Sequence, residues 1–269
     1  MKCALALLIA LFLNGPAFAA SVDGLAIRST VQGEGKTIIF VHGWTCDESS
    51  WDAQVDAFMH DYRVVTIDLP GHGASETPTA AHHFTMDLFA AAVEAVLAEI
   101  GADKVVLVGH SMGASVIRKY ATNHPDRVAG LVSADGSLDQ RMWSKGAQGQ
   151  QSVTRPIRAA LIEGMFVETT PPELRDRIRT MMMRPSAITA QGAGDAMIAP
   201  DATSSTVILA PALSIWAENY VPYPDFDTRD ILPNWEESRM PGTGHFLMME
   251  QPEIFNALLS NFIKMHAQF

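Results

Sequence analysis

Ser111 stands in the run Gly109-His110-Ser111-Met112-Gly113, with glycine two residues away on either side. The β-branched stretch "KVVLVG" (104–109) comes before it and the helix-forming "MGASVIRKYATNH" (112–124), closed by Pro125, comes after. The serine therefore falls on a strand-to-helix turn. A turn this sharp strains the serine backbone and crowds its neighbours, and glycine at 109 and 113 omits the side chains that would clash. The hydroxyl is pushed above the sheet edge, and the first N–H groups of the helix point at a developing negative charge. These are the requirements of a nucleophilic serine.

Such a serine needs a base within hydrogen-bond reach, and imidazole is the usual one near neutral pH. Of nine histidines, His245 sits in the glycine-flanked turn "GTGHF" (242–246), between the last predicted strand and the last helix. His60, His82, His83, His124 and His266 read as surface or helix-end residues, and no H-E-x-x-H or related spacing suggests a metal. A base in turn needs a carboxylate to hold it and to stabilise its imidazolium. Asp135, in "GLVSADGSLD" (130–139), lies at the carboxyl edge of a predicted strand, where open α/β sheets form sites. Asp135-Gly136 is equally an ordinary turn pair.

The elements that must position these residues alternate. Runs 36–43 and 62–73 read as buried strands of a parallel sheet. Between them Ser49, with Asp52 three residues on, is expected to cap a helix. Leu88, Ala92, Val96 and Ile100 repeat at helical spacing within 85–102, and Gly101 supplies the stop. Strands follow at 104–109 and 128–134, return at 212–219 and 234–240, and the chain ends in an amphipathic helix at 252–265. The fold class expected is α/β, a doubly wound, mostly parallel sheet. Residues 137–205 lack strand signals and read as a helical insertion, with Thr170 as an N-cap, Pro171 at the first helical position and Glu173 closing a capping box.

Together, "VHGW" (41–44), "DLPGHGAS" (68–75), "GHSMG" (109–113) and "GTGHFLMMEQPE" (242–253) resemble the α/β-hydrolases, over nearly the whole of residues 21–269. The resemblance implies that Trp44 and Met112 lend backbone N–H groups to an oxyanion hole and that His245 occupies the base position. It places the helical insertion after the sixth strand, where relatives carry a lid. It leaves His42 and Gly43 to loop packing and gives Asp68 and His72 no chemical role. Epoxide hydrolases and haloalkane dehalogenases of this fold are expected to use a carboxylate nucleophile, and Ser111 argues against both.

The acid departs from the family pattern. Most relatives place it after the seventh strand, three residues beyond a glycine, where "SIWAENYVP" (214–222) has Ala217 and then Tyr220. Tyrosine cannot supply the anion. Some members place it after the sixth strand, which favours Asp135; Glu218 and the Asp225/Asp227 loop are the alternatives. Within the insertion, Met165, Met181, Met182, Met183 and Met197, with Phe166 and Trp143, either line an adaptable apolar pocket or pack the insertion on the core.

The first twenty residues have a cation at Lys2, an apolar run over 3–13 and Ala17-Phe18-Ala19, the layout of a secretory signal. The run falls short of the roughly 20 residues of a spanning helix. An exported protein, periplasmic or secreted, is expected, with residues 21–269 as one domain. Loss of Lys2 takes the formal charge from −11 to −12, which argues against nucleic acid or an anionic membrane as partner. Cys3 leaves with the signal, so Cys46 is a lone thiol, read as packing.

The expected function is hydrolysis of small, apolar carboxylic esters through an acyl-enzyme on Ser111, with His245 as base, Asp135 as acid, and no cofactor or metal. Lactones, carbon–carbon bonds, peptides or cofactor-free haloperoxidation are alternatives for the same triad. A ligand-binding protein on the hydrolase scaffold is the reading from outside enzymology.

Overall fold

β-Branched runs at 37–41, 105–110 and 128–134 form adjacent parallel strands, and every residue in them is buried. A strand buried at every position needs cover on both faces, which is why these runs do not alternate apolar with polar. The computed structural model describes residues 20–141, 152–199, 204–218 and 227–269. The proposed leader, most of it within 1–19, lies outside them, as do Trp143, Tyr220 and Asp225.

The described residues open with a hairpin of β1 (Ala20–Val22) and β2 (Leu25–Ile27). The main sheet contains β3 (Ser29–Gln32), β4 (Thr37–Val41), β5 (Arg63–Ile67), β6 (Val105–His110), β7 (Val128–Ala134), β8 (Ala212–Ala217) and β9 (Trp235–Met240). Its order is β3-β5-β4-β6-β7-β8-β9, with β3 antiparallel to β5 and the remaining pairs parallel. The order reverses direction around β4, the topology of a doubly wound sheet. Strand β7, the sixth by the family resemblance, is the fifth of these seven in chain order.

Helices α2 (Met86–Glu99) and α3 (Met112–Asn123) pack on each other, and α3 lies against β6 and β7. Helices α1 (Asp52–Phe58) and α8 (Pro252–His266) form a second pair, with α7 (Leu247–Glu250) beside them. Between β7 and β8 the described residues contain α4 (Arg155–Glu163), α5 (Pro172–Met183) and α6 (Ala187–Ile198) and no strand. Helix α6 fits close to the body because Gly192 faces the Phe84 ring and the Ala81 carbonyl, where a Cβ would collide. No described helix is long and apolar enough to cross a membrane.

Two expected caps move. Asp47, not Ser49, caps the first turn: its carboxylate accepts from Ser49 N at 3.1 Å, and a 3-10 turn over Glu48–Trp51 runs into α1. Thr170 does not cap α5, which begins at Pro172 without a side-chain cap. Its hydroxyl instead accepts from Val167 N at 3.1 Å and lies 3.3 Å from Glu250 Oε2, so a tertiary contact outcompetes the local one.

Candidate active site

Ser111 sits between the last residue of β6 and the first of α3 with φ 51° and ψ −115°, a left-handed conformation that L-residues adopt under strain. Close contacts hold it there. A Cβ at Gly109 would collide with the Gly113 carbonyl, and one at Gly113 with the Val41 carbonyl. A third glycine, missed in the sequence, does the same: a Cβ on Gly136 would lie 2.6 Å from Ser111 O. Ser111 N donates to Ala134 O at 3.0 Å, tying the turn to β7.

Asp135 follows β7 directly and also has positive φ, 43°. Its own N–H donates to Ile215 O at 2.8 Å, and its Oδ1 accepts from Ala217 N at 2.9 Å, so both groups are pinned to the end of β8. That leaves Oδ2 facing His245, whose Nδ1 is 2.6 Å away. A carboxylate only accepts, so Nδ1 carries the proton and Nε2 presents its lone pair. The side chains of Asp135 and His245 are 14% and 21% exposed, sheltered yet open on one side.

The alternatives are engaged elsewhere. Glu218 is exposed and its Oε2 accepts from Gly242 N at 2.9 Å. Asp227 caps a 3-10 turn through Arg229 N at 2.9 Å. Asp135 is the one of the described carboxylates weighed as acid that meets the imidazole.

His245 is held by its backbone as well. Its N–H donates to Met165 O at 3.0 Å, in the loop between α4 and α5, and its carbonyl accepts from His110 Nε2 at 2.9 Å. The same α4–α5 loop bonds the turn twice more: Thr169 Oγ1 donates to Gly242 O at 2.9 Å, and Thr170 meets Glu250, whose Oε2 also accepts from Gly244 N at 2.9 Å. Among the described residues no hydrogen bond joins Ser111 Oγ to His245 Nε2, whose ring is oriented by the Asp135 contact at Nδ1.

Gly43 brings the loop after β4 against this turn, since a Cβ there would lie 2.7 Å from His110 Nδ1 and 3.2 Å from Ser111 Cβ. Trp44 follows. Its indole Nε1 donates to Ala190 O of α6 at 2.9 Å, and Thr45 next to it has φ 56°. Neither Trp44 N nor Met112 N has an acceptor among the described residues; Met112 opens α3, where the first N–H groups have no partner within the helix.

Nearby polar residues are structural. His42 Nε2 accepts from Leu69 N at 3.0 Å and its Nδ1 donates to Gly43 O at 2.8 Å; burial lowers its pKa to about 4. His72 donates Nδ1–H to Pro70 O at 3.0 Å and is lowered to about 3 by burial and by His42. Asp68 ties two loops through Glu48 N and Ala74 N, both at 2.8 Å. Cys46 is buried, and burial pushes its thiol up, out of the reactive range.

In the insertion, Met181 is buried with its sulfur 3.5 Å from Ser50 Oγ, and Phe166 lies beneath the guanidinium groups of Arg175 and Arg179. Both are packing roles. Met182 is buried, and Met165, Met183 and Met197 pack half-buried against the core. Met165 reaches His245 through its carbonyl, which has no side-chain signature in sequence.

The family model described as alpha/beta hydrolase fold matches residues 36–156. A 2-hydroxy-6-oxononadienedioate/2-hydroxy-6-oxononatrienedioate hydrolase of Paraburkholderia phymatum is 30% identical, over 89% of this chain and 91% of that protein. The dihydrolipoyllysine-residue acetyltransferase component of the acetoin cleaving system of Cupriavidus necator is 37% identical over 45% of this chain, and the match spans only 32% of that relative's length. The solved structure of Est816, described as an N-acyl homoserine lactone degrading enzyme, superposes with a TM-score of 0.77 and 24% identity over 90% of this chain and 99% of its own.

Proposed function

Since the chain belongs to the α/β-hydrolase fold family, we propose that it cleaves carboxylic esters through an acyl-enzyme on Ser111. The observation that supports this most is the 2.6 Å contact between Asp135 Oδ2 and His245 Nδ1 beside a strained serine turn. Ser111 Oγ attacks the carbonyl carbon as His245 Nε2 takes its proton, and Asp135 stabilises the imidazolium. The oxyanion forms against the N–H groups of Trp44 and Met112; one such donor is worth roughly 10²–10³ in rate. The imidazolium then protonates the leaving alcohol; water attacks the acyl-enzyme with His245 again as base, and that proton returns to Ser111 Oγ as the acyl–oxygen bond breaks and the acid leaves.

The substrate of this reading is a small, apolar ester, and the ester panel below tests its acyl group. Export of the chain, to the periplasm or the medium, belongs to the same reading: a bacterium expressing residues 1–269 should yield an exported protein shortened by about 20 residues, read by intact mass.

The test is a fluorophosphonate probe with a panel of p-nitrophenyl esters, lactones and peptides. One adduct on Ser111 and turnover of esters is the expected result. Adduct formation with turnover confined to peptides or lactones would replace the substrate class, and an unlabelled Ser111 in folded protein would leave the ligand-binding reading standing instead.

A further inference from the structure

His110, the residue between glycine and serine in the motif, is buried at 1% exposure and has no part in the chemistry above. Its Nε2 lies 2.9 Å from the His245 carbonyl, which can only accept, so Nε2 holds the proton. The neutral ring then presents a bare Nδ1, which is buried without a partner and faces Gly43 at the spot a side chain would need. Burial, and after it the nearby His245, keep the imidazolium form well below the usual range, so the ring stays a single-donor strut. Around it, the His245 ring centroid is 4.7 Å away, that of Phe246 4.9 Å, and Trp51 stands edge-on at 6.5 Å, so the buried ring is packed by aromatic rings on several sides.

One imidazole thus spans the gap between the loop that offers Trp44 N–H and the loop that holds the base. It sits one residue before the nucleophile, on the end of β6. Since Met165 O takes the N–H of His245, the base is gripped at both of its backbone polar groups.

We infer that His110 is a positioning residue, which fixes His245 relative to Ser111 and the oxyanion donors through its Nε2–H bond to the His245 carbonyl. This rests on the serine-hydrolase reading, and it assigns a function to the one position of the motif that the reaction leaves unused.

The test compares His110→Gln with His110→Met. The two side chains are nearly the same length and shape, but only glutamine carries an N–H to give the carbonyl. The first readout is the rate of fluorophosphonate labelling at Ser111, followed by intact mass; the probe's fluoride leaves as Ser111 Oγ bonds to phosphorus and His245 takes the proton. The second is the split between kcat and KM on whichever substrate the panel identifies, with circular dichroism melts alongside.

His110→Gln is expected to stay within about threefold of wild type. His110→Met should label about tenfold or more slowly and lose kcat with KM nearly unchanged, since a buried carbonyl without its donor lets the loop shift. Equal rates in the two variants, whether both fast or both slow, would overturn the inference, because shape alone would then account for the residue. A wild type that is not labelled at all would instead overturn the reading on which it rests.

Discussion

Replacing Asp135 by asparagine should silence the enzyme without unfolding it, and the structure says why so small a change has so large an effect. Oδ1 of Asp135 accepts from Ala217 N at 2.9 Å. In the variant the amide oxygen must keep that place, because an NH₂ group there would face another N–H. The NH₂ group is then turned toward His245 Nδ1, where Oδ2 stood at 2.6 Å. A donor facing Nδ1 selects the tautomer with the proton on Nε2, the nitrogen that has to accept from Ser111. The fold loses little, since the bond to β8 survives and the shape is conserved. The chemistry loses its base. Loss of a triad carboxylate in this way costs about 10³- to 10⁴-fold in kcat, or about 4–5.5 kcal/mol of transition-state stabilisation. Ester turnover of wild type, Asp135→Asn and Glu218→Gln, each with a circular dichroism melt, measures it. Glu218→Gln keeps an acceptor for Gly242 N and should stay within about twofold. A folded Asp135→Asn that retains more than about a tenth of wild-type kcat would refute the argument, and a collapse in Glu218→Gln alone would move the acid there.

Gly136→Ala should drive its new methyl into Ser111 O and N and slow fluorophosphonate labelling at least tenfold; an unchanged rate would show that the turn can yield. His42 and His72 are held neutral when folded, at about 4 and about 3, against about 6.5 in the unfolded chain. The unfolded state therefore binds more protons below about pH 6.5, so the stability they contribute is complete above that pH and drains away as the pH falls toward about 4 for His42 and about 3 for His72, by on the order of a few kcal/mol. Melting temperatures should fall over that window and His72→Asn should flatten part of the slope; a flat wild-type profile from about pH 7 to 4.5 would contradict it. Cys46 should resist iodoacetamide in the native protein and react in guanidinium, and rapid native alkylation would show that its burial is not maintained.

Much of the fold was legible because its central strands are buried on both faces and read as unbroken β-branched runs. The expected 128–134 strand and the 252–265 helix coincide with β7 and α8 to within a residue. The first three strands were missed. They are three or four residues long and partly exposed, and their glycines at 24 and 33 hold positive φ, so neither period nor hydrophobicity marks them. At the candidate site, the strand-to-helix turn bearing Ser111 and the glycine-flanked turn bearing His245 were legible from local patterns. Asp135 was favoured by its place at a strand's carboxyl edge, by the resemblance and by the lack of a carboxylate at position 220; no local pattern marked it, because its partner lies 110 residues away and Asp-Gly reads locally as a turn. The clasp on His245 was invisible: a carbonyl at Met165 carries no residue-type signal, and His110 stands at a position that G-x-S-x-G leaves open.

The bonds from the α4–α5 loop to the turn bearing His245 bear on how the insertion can be re-engineered. A segment that only roofs a pocket can be traded between related proteins like a cassette. This one cannot be cut at its ends and replaced at will, because Met165, Thr169 and Thr170 hold His245, Gly242 and Glu250 in place. Any substitute must return a carbonyl to within hydrogen-bond reach of His245 N, and a shortened chain without it would expose that N–H and loosen the base. Grafts that vary α4 and α6 but retain residues 164–171 are the ones that should alter substrate range while leaving the proton-transfer geometry intact.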